Sequence, residues 1–121
     1  MPYTADPFVW DHKLRVGDTY QPMAVVFLDP DGMPYDLTGV TGECQILSEL
    51  GGKVLLEPTV VVSDPTGGTI TWSAPASETT ALVPGDSHPF GVRLTWPGAA
   101  PQHVKTVVIG AITVLPAVLR G

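Results

Sequence analysis

The chain has 121 residues, enough for one domain with its own core and too few for two ordinary ones. Twelve acids against six bases leave a net charge of −6, and the Lys and Arg residues form no cluster, which excludes a surface that tracks nucleic-acid phosphates. Cys44 is the single cysteine, so no intrachain disulfide forms.

Charged residues make up only 15% of the chain, against roughly 25% in an ordinary globular domain, and mean hydropathy is +0.22. Two readings fit. Either part of an apolar surface is covered by other subunits, or a well-filled core carries Thr, Ser and Gly on its outside. The first residues lack the basic start and apolar run of a secretory leader. The most apolar tract, residues 107–119, is shorter than the about 20 residues a membrane helix needs and is broken by Gly110 and Pro116. The expectation is a soluble protein without a membrane partner.

In chain order, residues 1–13 carry Pro2 and Pro7 with little periodicity and read as an extended arm, leaving residues 14–121 as the domain. Phe8 and Trp10 point the same way if the arm is extended. They either anchor it to a neighbouring subunit as buried hot spots or fold back onto the domain's own sheet. Residues 20–28 are apolar on both faces, as expected of a strand that is central or covered from outside. Asp29-Pro30-Asp31-Gly32 is a turn, with Pro where φ is preset and Gly where φ turns positive. Residues 40–48 place Val40, Cys44 and Ile46 on one face. Residues 54–62 are β-branched but interrupted by Pro58, which suits an edge or a bulge.

Gly51-Gly52 and Gly67-Gly68 mark tight hairpins. Residues 69–73 alternate cleanly, with Ile70 and Trp72 inward. Residues 77–82 predict one helical turn capped by Ser77 and ended by Pro84-Gly85. In residues 90–96, Phe90, Val92, Leu94 and Trp96 share a face. Residues 104–109 and 111–115 close the chain, with Gly110 expected as a bulge or kink between them. Short strands with turns roughly every 8–12 residues predict an all-β, antiparallel sandwich of seven to eight strands with an extended N-terminal arm.

No catalytic constellation emerges. His12, His88 and His103 lack metal-ligand spacing and read as surface or loop residues. Asp86-Ser87-His88 contains the residue types of a hydrolase triad, but sequence neighbours cannot converge as a triad does. Asp29-x-Asp31-Gly32 opens like a calcium loop and lacks its remaining oxygens. Gly67-Gly68 precedes a strand, not the helix a phosphate cradle requires. The expectation is a protein that is not an enzyme and holds no cofactor, metal or small-molecule substrate.

A longer pattern runs from Arg15-Val16-Gly17-Asp18-Thr19-Tyr20 through Val25-Val26-Phe27-Leu28-Asp29-Pro30-Asp31-Gly32-Met33-Pro34-Tyr35-Asp36-Leu37-Thr38-Gly39. It continues with the helical turn at residues 77–82, Val83-Pro84-Gly85 and the strand at residues 90–95. It resembles the small immunoglobulin-like β-sandwich of tailed-bacteriophage structural proteins, of which the N-terminal domain of the upper baseplate protein family is a named example. The resemblance implies a non-catalytic virion component, assembled in the host cytoplasm. It would dock onto tail, head–tail junction or capsid subunits and onto copies of itself. A carbohydrate-binding or host-adhesion module on the same fold is the alternative. In the docking reading Phe8 and Trp10 contact neighbours, while Lys13, Arg15 and Arg120 either pair with acidic partner surfaces or remain solvated.

Overall fold

A computed structural model describes residues 7–22, 24–98 and 102–118. Alternating apolar residues build two sheets that pack face to face. The larger is formed by β1 (Phe8–Val9), β2 (His12–Arg15), β4 (Thr41–Leu47), β5 (Val54–Leu56), β8 (Ser87–Thr95) and β9 (Val104–Leu115). The smaller contains β3 (Val25–Val26), β6 (Thr59–Asp64) and β7 (Thr69–Ser73). Strand order is β1-β9-β8-β4-β5 in the first, with β2 also on β9, and β3-β7-β6 in the second. The expected all-β sandwich is therefore observed, with nine strands among the described residues.

Period-two alternation fills the space between the sheets. Ile46, Ile70, Trp72, Val92, Leu94, Val108, Ile112 and Val114 are fully buried. Trp72 and Trp96 are core residues, as their strands predict, so neither offers a face to a sugar ring. Pro58 separates two strands rather than interrupting one: β5 belongs to the large sheet and β6 to the small one, and the chain crosses between them there. Gly42 faces that crossing. A Cβ on it would lie 2.6 Å from the Val60 side chain, so its absence lets β6 approach β4 closely.

Several local expectations are corrected. The bulge in the last strand falls at Val107, because Val92 pairs with Val108 while Arg93 pairs with Thr106. The shift turns both Val107 and Val108 into the core, a gain in buried apolar surface that strict alternation forbids. Gly110 stays in register opposite Phe90. Its importance is space: a Cβ there would sit 2.1 Å from the Trp10 carbonyl oxygen. The helical turn α1 (Ala76–Thr79) begins after Pro75 with no side-chain cap, so Ser77 does not cap it. Buried Thr79 is the working residue of that turn. Its hydroxyl lies 2.9 Å from the Asp18 carbonyl and accepts the Gly17 N–H at 3.2 Å, pinning the loop after β2. Of residues 20–28, only Val25–Val26 form a strand, with Tyr20 bridged to Ala74.

Of the segment read as an arm, residues 1–6 lie outside the described residues, and β1 and β2 form the edge of the large sheet. Here the antiparallel expectation fails: β1 and β2 pair with β9 in parallel, from Phe8 opposite Val108 to Arg15 opposite Leu115. Every other strand pair among the described residues is antiparallel. Between β1 and β2 the ladder changes hands. A regular parallel ladder would give the Ala111 N–H to the Trp10 carbonyl. Instead Asp11 Oδ1 accepts it at 2.9 Å, and the Trp10 carbonyl turns toward Gly110 and His12.

Gly110→Ala therefore forces the edge strand outward and lowers stability by about 1–3 kcal/mol, read as a shifted urea midpoint in tryptophan fluorescence. A midpoint equal to that of the unsubstituted protein would show that the Trp10 carbonyl moves aside freely.

Candidate open-edge interface

On one side of the sandwich the edge strands β5 and β6 are joined directly at Pro58, and on the other the link between the edges is longer, from Arg15 to Val25. There β1 and β2 end the large sheet and β3 ends the small one. Between these edges run two clefts that share Trp10. One, of about 420 Å³, is lined by Phe8, Trp10 and the run Ala24, Val25, Val26, Phe27 and Leu28. The other, of about 470 Å³, is lined by residues that include Trp10, His12, Lys13, Arg15, Tyr20 and Pro22. Together they form one trough. Phe8 and Trp10 share the first cleft with residues 24–28, and Lys13 and Arg15 share the second with Tyr20, Gln21 and Pro22, so the two walls run in opposite directions.

All four residues singled out from the sequence line this trough, in different ways. Phe8 stands on the inner side of the edge, opposite Val108, and remains 52% exposed. Trp10 packs between the two sheets: it is half-buried, stacks on His12 of its own sheet at 4.2 Å and meets Trp72 of the facing sheet edge-on at 6.1 Å. Lys13 is exposed, and Arg15 donates to the Pro116 carbonyl at 2.8 Å. The Arg93–Glu43 ion pair lies elsewhere, and no carboxylate among the described residues forms an ion pair with Lys13 or Arg15. Arg120 lies outside the described residues.

The sequence reading missed the centre of the site. His12 and His88 were expected at the surface, yet His88 is buried in β8 and His12 is half-buried against Trp10, Tyr20 and Phe90. A signal existed: Phe8, Trp10, His12 and Leu14 fall at period two, which places His12 on the inward face of the edge strand. His12 Nε2 is 2.8 Å from the Tyr20 hydroxyl, which accepts the Trp72 Nε1–H at 3.0 Å. The Trp10 carbonyl, 3.4 Å from His12 Nδ1, can only accept, so a neutral His12 carries its proton on Nδ1 and its Nε2 accepts the Tyr20 hydroxyl proton. Burial lowers the His12 pKa, opposed by the Trp10 carbonyl and Asp11, and burial raises that of Tyr20. Burial also pushes the Cys44 thiol up to about 12, leaving it a packing residue. No group of three metal-ligating side chains occurs among the described residues.

With fold and trough established, comparison with known proteins gives one result. No family profile and no curated protein matches the sequence. Among solved structures, the N-terminal domain of phage TP901-1 ORF48 aligns over 93% of this chain and 92% of that one, with a TM-score of 0.55 and 19% identity. The two share a fold. The expected resemblance to a phage sandwich domain is thus met in architecture.

Two outcomes follow for the polar centre. Tyr20→Phe leaves the Trp72 N–H and His12 Nε2 without their shared partner and costs about 1–3 kcal/mol, measured by chemical denaturation; an unchanged midpoint would mean that water replaces the hydroxyl. Because the folded His12 pKa lies below its ordinary 6.5, the unfolded chain takes up this proton first. Stability from this residue is intact above that value and is lost as pH falls through it toward the folded pKa. His12→Gln should flatten the fall in melting temperature between about pH 7 and about pH 5, and an identical slope would assign the titration elsewhere.

Proposed function

We propose that this chain is a non-catalytic structural protein of a bacteriophage virion, docked to other virion subunits through the trough between its two open sheet edges. The observation that carries the reading is the trough itself. It joins half-exposed Phe8, Val26 and Leu28 to two cations that have no ion-pair partner among the described residues, on the side of the sandwich where β1, β2 and β3 end the two sheets. An exposed apolar surface is unfavourable in water and is stabilised by burial against a complementary subunit. Phe8 and Trp10 are the aromatic anchors, and Lys13 and Arg15 steer and register an acidic neighbour. The shared fold with a phage domain supports the setting, and a chain of low charge content suits a protein that spends its life in an assembly. Tail, head–tail junction and capsid surface are all stations compatible with such a site, and assembly would take place in the host cytoplasm.

The test is mass spectrometry of purified particles from a phage that encodes this chain, with and without Phe8→Asp. Phe8 is half-exposed, so the substitution should leave the melting temperature of the isolated protein nearly unchanged. It should reduce the copies per particle at least tenfold. Particles that lack the unsubstituted chain, or that take up Phe8→Asp at full level, would overturn the proposal.

A further inference from the structure

The backbone of β3 is the least protected part of the trough. Phe27 sends its N–H to the Gly68 carbonyl at 2.8 Å and accepts the Tyr35 N–H at 2.8 Å, and Val25 pairs with Ile70 of β7, so the backbone groups of Val25 and Phe27 are used within the molecule. By strand alternation Ala24 and Val26 turn theirs outward to the open edge. Both residues are exposed, and apart from the shortness of β3 itself no Lys, Pro or bulge stands at either position to discourage a second strand.

Charge along this edge is polar in the sense of a rod with two ends. Lys13 and Arg15 line the trough beside Gln21 and Pro22, whereas the other end runs from Leu28 into the turn that carries Asp29 and Asp31. Val25 lies midway in sequence between Gln21 and Asp29.

We infer that β3 pairs with β3 of a second copy, antiparallel about a twofold axis at Val25, so that the small sheets of two molecules join into one. This rests on the reading of the open side as a docking surface and names the first partner it takes. Ala24 of each copy then faces Val26 of the other as a hydrogen-bonded pair, which uses the two residues whose backbone groups point outward. The Val25 residues meet on the axis. The same operation sets the Lys13 and Arg15 end of each copy against the Asp29 and Asp31 end of the other. A parallel arrangement would oppose like charges. The contact is isologous and closes on itself, so it yields a dimer and not a fibre.

Sedimentation equilibrium of the full chain should show a dimer whose dissociation constant rises with salt. Val26→Lys, at a half-exposed position, should weaken it at least tenfold. Charge reversal tests the geometry without touching β3. Asp29 is left alone because its carboxylate accepts the Asp31 and Met33 N–H groups of the turn. Lys13→Glu and Asp31→Lys should each weaken self-association, and an equimolar mixture of the two should restore it, since both cross-axis pairs are again opposite in sign. A chain that is monomeric at high micromolar concentration would overturn the inference, as would a dimer indifferent to Val26→Lys or a mixture no tighter than its components. These failures differ from failure of the virion reading, which is decided by whether the chain occurs in particles at all.

Discussion

The last strand, β9, is the one that holds the molecule together, because it is gripped on both sides. On one side β8 forms a long antiparallel ladder from Ser87 to Thr95. On the other, β1 and β2 pair in parallel. That second partner comes from the opposite end of the chain, a loop closure of about 100 residues whose entropic cost grows only logarithmically with length. The cost in rate is larger, since such pairing forms only after the intervening strands have brought the ends together. The edge strand is accordingly the natural candidate for the last element to dock. Its attachment is built from small accommodations: Gly110 without a side chain, an aspartate carboxylate in place of a backbone carbonyl, and an arginine on the Pro116 carbonyl.

Across the sandwich the same edge is tied to the small sheet by polar contacts instead of by apolar packing alone. Tyr20 bridges to Ala74 through its backbone and to His12 and Trp72 through its hydroxyl. An aliphatic residue at position 20 would bury comparable surface but would orphan the indole N–H, and a buried donor without a partner costs more than an average hydrogen bond contributes. The network fixes where the edge strand sits relative to β7, and hence the width of the trough. It is also sensitive to acid, because its imidazole must stay neutral to accept the tyrosine proton. Position and titration are thus two consequences of one arrangement.

How far residues reveal this depends on whether a signal is local. The strands Thr69–Ser73 and Ser87–Thr95 were legible because each buries one face and wets the other. The bulge at Val107 was not, since two adjacent valines look alike in any register and only the partner strand decides which turns inward. Gly110 drew attention for the right reason, a missing side chain, but the atom that needs the space belongs to Trp10, distant in sequence. Phe8 and Trp10 could be read as a pair on one face. The wall opposite them could not, because it is made by residues 24–28, whose apolarity on both faces fits a central strand and an exposed edge equally well.

That ambiguity has a physical content. A central strand is apolar on both faces because two layers of protein cover it. Val25–Val26 has a single neighbour in its sheet, yet keeps the same composition, with Val25 packed on the core and Val26 half in solvent. Edge strands of monomeric proteins are usually defended by charge, proline or a bulge against pairing with another chain. On the opposite side of this molecule the chain itself, crossing at Pro58, ties the two sheets together. On the side of β3 the tie is longer and runs through Tyr20, which leaves the outer backbone of β3 without a strand partner among the described residues. A surface meant for water would have to differ at several positions at once, whereas a surface meant for another sheet edge needs only to be left as it is.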